Sequence, residues 1–107
     1  MLMKRFLVGL LPAFAVTMSQ SVYAADSAAG RQLAEKWCTK CHNIEKGGPF
    51  KLNPPSFASI AAYRTPDVII GKIIAPSMHS GMPETIWVLQ REDVDNIAAF
   101  ITSLEAK

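Results

Sequence analysis

The six residues Trp37-Cys38-Thr39-Lys40-Cys41-His42 hold both cysteines of the chain and one of its two histidines. On a helical turn, residues three apart face the same side. Both thiols can therefore add to the two vinyl groups along one edge of a haem. The histidine directly after the second cysteine is then tethered below the iron, where an imidazole nitrogen can bind it. Each residue type is needed: sulfur for two thioethers, and imidazole for a neutral, strong-field ligand. The C-x-x-C-H pattern thus assigns covalent haem attachment to Cys38 and Cys41 and axial ligation of iron to His42.

Three other uses of these residues are weaker. A Cys38–Cys41 disulfide would close too small a loop to stabilise much. A thioredoxin-like dithiol follows a strand in a βαβ unit, and no such alternation appears here. Zinc would need two further Cys or His ligands. Only His79 remains outside the motif, so both histidines and both cysteines would have to serve, at a poor spacing.

Upstream, Lys4 and Arg5 precede an apolar run over residues 6–16, and Val22-Tyr23-Ala24 places small residues where a signal peptidase reads them. Residues 1–24 are expected to be a secretory signal peptide cleaved after Ala24. As a membrane anchor the run is short of the ~20 residues needed to span a bilayer, and it contains Pro12. Removing residues 1–24 from the 107-residue chain leaves 83. It also takes Lys4 and Arg5 from the 11 basic residues, leaving nine against nine acidic ones. A formally neutral mature chain lacks the concentrated basic face of a nucleic-acid binder. A core of that size is marginal by itself, and a tethered apolar macrocycle at its centre would supply the missing interior.

The remaining pattern is helical. Asp26 or Ser27 can cap a first helix running from about Ala28 into the motif, with Leu33, Ala34 and Trp37 on one face and Gly30 a turn earlier. Glu45-Lys46-Gly47-Gly48-Pro49 and Asn53-Pro54-Pro55 read as loop. A short helix over residues 56–63 would turn Phe57, Ile60 and Ala61 inward. Thr65-Pro66-Asp67 marks another helix start, with a capping hydroxyl and proline at the first position. That helix carries Val68, Ile69, Ile70, Ile73 and Ile74 and stops before Pro76. A last helix from Gln90 or Arg91 repeats Val94, Ile97, Ala98, Ile101 and Leu104 at three and four, with Phe100 flanking. Burying such side chains contributes roughly 1.5–3 kcal/mol each, so this helix must dock. The first helix is the available partner, and Gly30 would let the Phe100 ring approach its backbone. No strand pattern or internal repeat is present; the chain reads as a single all-α domain of about four helices.

The irregular residues 76–83 hold Met78, His79, Gly81 and Met82. An electron carrier closes the far face of its iron, because fixed six-coordination keeps geometry nearly constant between oxidation states. A thioether also favours Fe(II). After cleavage only Met78 and Met82 remain, both in a polar loop rather than in an apolar core. Pro83 restricts Met82 to an extended conformation. Met82 is favoured as the second axial ligand, Met78 is the alternative, and His79 reads as a solvated loop residue.

As a set these residues resemble the small bacterial class I cytochromes c. The likeness rests on the glycine-containing first helix, the C-x-x-C-H motif, Pro55-Ser56-Phe57, the Met82-Pro83 loop and the closing Ile97-Ala98-Ala99-Phe100-Ile101. It covers residues 25–107 as one cytochrome c domain. The resemblance implies His42 as proximal and Met82 as distal ligand. It implies that a proline carbonyl, that of Pro55 with Pro54 a close competitor, accepts a hydrogen bond from the His42 ring. It also implies a contact of Gly30 with Phe100 between the terminal helices. Two departures stand out. Gln90 lies where the family usually has Ser or Asp, which should weaken that cap, and Phe100 stands where tyrosine is common.

Function is expected to be periplasmic one-electron transfer by a monomeric carrier, without membrane insertion after cleavage and without enzymatic activity. Donor and acceptor would be redox proteins, such as a dehydrogenase or a terminal oxidase. A haem subunit bound permanently in a larger oxidoreductase would instead need an apolar patch, for which Ile86, Trp87 and Val88 are the candidates. An open-iron enzyme or gas sensor would need both methionines off the iron, and no acid–base pair suited to peroxide cleavage is evident. Lys40, Lys46, Lys51 and Lys72 could gather at a haem edge and steer acidic partners, although a mixed solvated surface explains them equally well.

Overall fold

A computed structural model describes residues 24–50, 53–75 and 88–105. These form four α-helices, α1 (Ser27–Trp37), α2 (Phe57–Tyr63), α3 (Pro66–Ile74) and α4 (Arg91–Ser103), with no strand among the described residues. The all-α architecture stands. No helix among them is long and apolar enough to cross a membrane.

Each helix start has a local cause. Asp26, not Ser27, caps α1, and its carboxylate accepts from the N–H groups of Ala28 at 2.9 Å and Ala29 at 3.2 Å. Those are two of the donors that the first turn leaves without helical partners. Ser56 lies just outside α2 as its cap, with Oγ 3.2 Å from Ser59 N and 2.6 Å from Ser59 Oγ. Both serines are buried, so this pairing satisfies what burial would otherwise orphan. Thr65 occupies the N-cap of α3 but makes no side-chain capping bond. The expected hydroxyl cap is replaced by Pro66, whose fixed φ suits the first turn, and by Asp67 at the positive end of the helix. At α4 the cap is also secured differently from expectation: the Asp93 carboxylate accepts from Gln90 N–H at 2.8 Å, so the start is held from within the first turn.

The core gathers Ala34 of α1, Ile44 of the following loop, Phe57 and Ala61 of α2, Ile69 of α3, and Ile97, Ala98, Phe100, Ile101 and Leu104 around α4. Phe100 belongs inside this cluster rather than at its flank. Of the five apolar residues on α3 only Ile69 is buried, and Val68 and Ile74 are exposed.

The α1–α4 crossing is closer than a ring on a backbone. A Cβ built on Gly30 would overlap the Asn96 carbonyl and come within 2.9 Å of Ile97 N. Gly30 therefore admits the α4 main chain itself, at Asn96 and Ile97. Asn96 adds a second tie, accepting the Asp26 N–H on Oδ1 at 2.7 Å. The cap residue of α1 is thus fastened to the middle of α4.

Candidate functional site

Helix α1 ends at Trp37, and Cys38 is its C-cap, with Cys38 N–H donating to the Ala34 carbonyl at 2.8 Å. The chain keeps turning: N–H groups of Cys41 and His42 both donate to the Cys38 carbonyl, at 3.2 and 2.9 Å. The motif is therefore a tight turn hung on a helix end. Cys38 faces inward and is half-buried, Cys41 is exposed, and no disulfide joins them. Burial pushes the Cys38 thiol up to about 11. Among the described residues no three of His, Cys, Asp and Glu gather into a metal-holding cluster.

His42 is oriented from outside the motif. Its Nδ1 lies 2.6 Å from the Pro55 carbonyl oxygen. A carbonyl can only accept, so Nδ1 carries the proton and the lone pair resides on Nε2. The partner is Pro55 and not its neighbour Pro54.

The segment after the motif is pinned on both sides. Ile44 is buried, Asn43 Oδ1 accepts from Glu45 N–H at 2.9 Å, and the Asn43 carbonyl accepts from Phe57 N–H at 2.8 Å. Arg31 of α1 donates to Glu35 at 2.9 Å and to Glu45 at 2.7 Å. Its guanidinium carbon also lies 5.7 Å from the centre of the Phe100 ring. The two carboxylates, Glu45 foremost, raise the Arg31 pKa further. The i,i+4 spacing of Arg31 and Glu35 was readable in the sequence; the bridge to Glu45 was not.

Beside Pro55 a cavity of about 380 Å³ is lined by Pro55, Ser59, Ile60, Tyr63 and Arg64. No motif or spacing in the sequence marks Tyr63 or Arg64. Phe50 and Tyr63 are both exposed, their rings edge-on at 6.2 Å. Met78, His79, Met82, Lys51, Ile86 and Trp87 lie outside the described residues. Of the remaining surface candidates, Val88 and Lys40, Lys46 and Lys72 are exposed.

Residues 25–101 match the family described as cytochrome c oxidase, cbb3-type, subunit III. Cytochrome c-552 of Bradyrhizobium diazoefficiens is 38% identical over 89 residues, covering 80% of this chain and 82% of that protein. The chain belongs to the small class I c-type cytochromes. A second relative, cytochrome c2 of Pararhodospirillum photometricum, is 50% identical over 34 residues, or 32% of this chain and 30% of that protein. No solved structure matches the chain significantly.

Membership in the cytochrome family brings covalently bound haem c with its iron, and electron transfer with redox partners. The residues present fit that group: two thiols on one turn, and an imidazole whose hydrogen-bonded tautomer keeps Nε2 basic. The neighbouring cavity adds one cation and one phenol, chemistry suited to the carboxylates that a haem carries.

Proposed function

We propose that this cytochrome is an exported, periplasmic one-electron carrier. Cys38 and Cys41 tether the haem by thioethers, His42 binds iron through Nε2, and Met82 closes the opposite face, with Met78 the alternative. The observation that carries this reading is the 2.6 Å contact of His42 Nδ1 with the Pro55 carbonyl. That bond selects the tautomer and makes Nε2 a stronger donor.

A haem held here would supply the chemistry, one-electron exchange at its iron. The chain does the rest. The turn at Cys38–Cys41 holds the macrocycle's edge, the Pro55 carbonyl holds the imidazole, and a thioether from residues 76–83 would favour the reduced state. With no ligand exchanged, little reorganisation accompanies each electron. The protein then needs no catalytic residue, and it acts as a monomer between a donor and an acceptor protein.

Residues 1–24 serve as a signal peptide cleaved after Ala24, a reading supported by Lys4 and Arg5 ahead of the apolar run over residues 6–16 and by the small residues Val22 and Ala24. The mature chain is formally neutral.

The visible spectrum of the purified ferric protein tests the carrier reading. A low-spin spectrum with the weak far-red band of methionine sulfur on Fe(III) is expected. A high-spin spectrum would mean an open iron and would move catalysis or gas binding to the front.

One second reading has an observation behind it. Phe50, Tyr63 and Val88 are exposed apolar side chains, and the matched family takes its description from an oxidase subunit. Both favour a subunit held in a larger oxidoreductase. Gel filtration of a native, detergent-solubilised extract separates the two: a carrier elutes as a small monomer, a subunit with its complex.

A further inference from the structure

The His42 imidazole has a second neighbour besides Pro55. The Phe57 ring lies 5.4 Å from it, centre to centre, inclined at 49°. Phe57 is the first residue of α2, is almost fully buried, and is tied by its own N–H to the Asn43 carbonyl one residue after His42. Its ring meets Phe100 edge-on at 6.1 Å and 60°. Phe100 in turn lies beneath Arg31, whose guanidinium is held by Glu35 and Glu45. A continuous line of contacts therefore runs from a surface ion-pair cluster, through two aromatic rings, to the imidazole.

One hydrogen bond does not hold an imidazole in a plane. A carbonyl oxygen accepts over a broad range of directions, so the ring can swing about its Cβ–Cγ bond while keeping Pro55. A rigid face packed against it removes that swing, and side chains in a dense interior transmit such constraints. We propose that Phe57 is a positioning residue: its ring, backed by Phe100, sets the plane in which His42 presents Nε2 to iron. The inference rests on the reading of His42 as axial ligand. The ring plane matters because the imidazole π-system mixes with one of the iron dπ orbitals, and its direction decides which. In the ferric state that direction, together with the orientation of the ligand on the opposite face, governs how unpaired spin is shared among the four haem methyl groups.

The test uses the complete ferric holoprotein and its paramagnetically shifted haem-methyl proton resonances, with thermal unfolding measured alongside. Phe57→Leu keeps apolar bulk but loses the flat face; Phe57→Met serves in its place if the leucine variant does not accumulate. Phe57→Tyr keeps the face and adds a buried hydroxyl. Ile101→Val trims the core on α4 and acts as the control. We expect Phe57→Leu, or Phe57→Met, to redistribute the four methyl shifts and change their order. We expect Phe57→Tyr to retain the parental order although it loses stability, and Ile101→Val likewise. Unfolding temperatures and methyl pattern would then move independently. A parental methyl order in the leucine or methionine variant would overturn the proposal and leave Phe57 as core filling. Failure of the underlying ligand assignment is distinguishable in the parent protein. His42 ring protons without large upfield ring-current shifts in its ferrous form would remove the histidine from the iron, and the proposal with it.

Discussion

The carbonyl of Asn96 in α4 occupies the place where a side chain on Gly30 of α1 would begin. Contact between the terminal helices is therefore main chain against main chain, and it leaves no room for even one methyl group. Gly30→Ala must push α4 outward, together with Ile97 and Ile101 on its buried face. Overpacking of this kind costs roughly 1–3 kcal/mol. We expect Gly30→Ala to lower the denaturant midpoint of the holoprotein with little change in its visible spectrum. An unchanged midpoint would show that the helices can separate at no cost.

Asn96 is predicted to matter through its side chain as well. Its buried Oδ1 accepts the Asp26 N–H, and removal leaves that donor dependent on water. Asn96→Ala should cost about 1–2 kcal/mol. Amide exchange at Asp26 should also accelerate more than exchange at the α1 centre. Uniform acceleration along α1 would mean that the bond serves global packing rather than the helix start.

Either single cysteine variant, Cys38→Ala or Cys41→Ala, should weaken covalent attachment. Mass analysis after acid extraction of non-covalent haem should show a reduced yield of haem-bearing chain. Any haem that stays attached should keep one unreacted vinyl group. Full attachment with an unaltered spectrum in both variants would be incompatible with the proposed attachment role of the motif.

Met82→Ala should open the reduced iron to carbon monoxide, seen as a new Soret maximum, whereas Met78→Ala should not. The opposite pattern would transfer ligation to Met78. Binding by neither variant would require a ligand other than a single methionine.

Much of the fold was legible in the sequence because its signals are local. Proline at the start of α3, an acid ahead of α1, and apolar residues at three and four along α4 act within one or two turns. Chain connectivity carries them in any environment. The C-x-x-C-H motif is local in the same sense: six consecutive residues hold both thiols and an imidazole, and their chemistry is implied by type and spacing. Expectation and structure part where a helix start has several possible acceptors. Thr65 has a hydroxyl that makes no capping bond, and Gln90 is assisted by Asp93.

Residue types and short-range spacing thus determined by themselves the all-α class, the places where helices begin, and the candidate haem-binding turn. Tertiary structure alone decided which backbone Gly30 receives, that Arg31 bridges to Glu45, and that Phe57 abuts the His42 ring. It also decided which proline holds Nδ1. The physical reason is the same in each case. These contacts depend on the relative placement of α1, α2 and α4, which is set by packing the whole core, and no window of neighbouring residues encodes that placement.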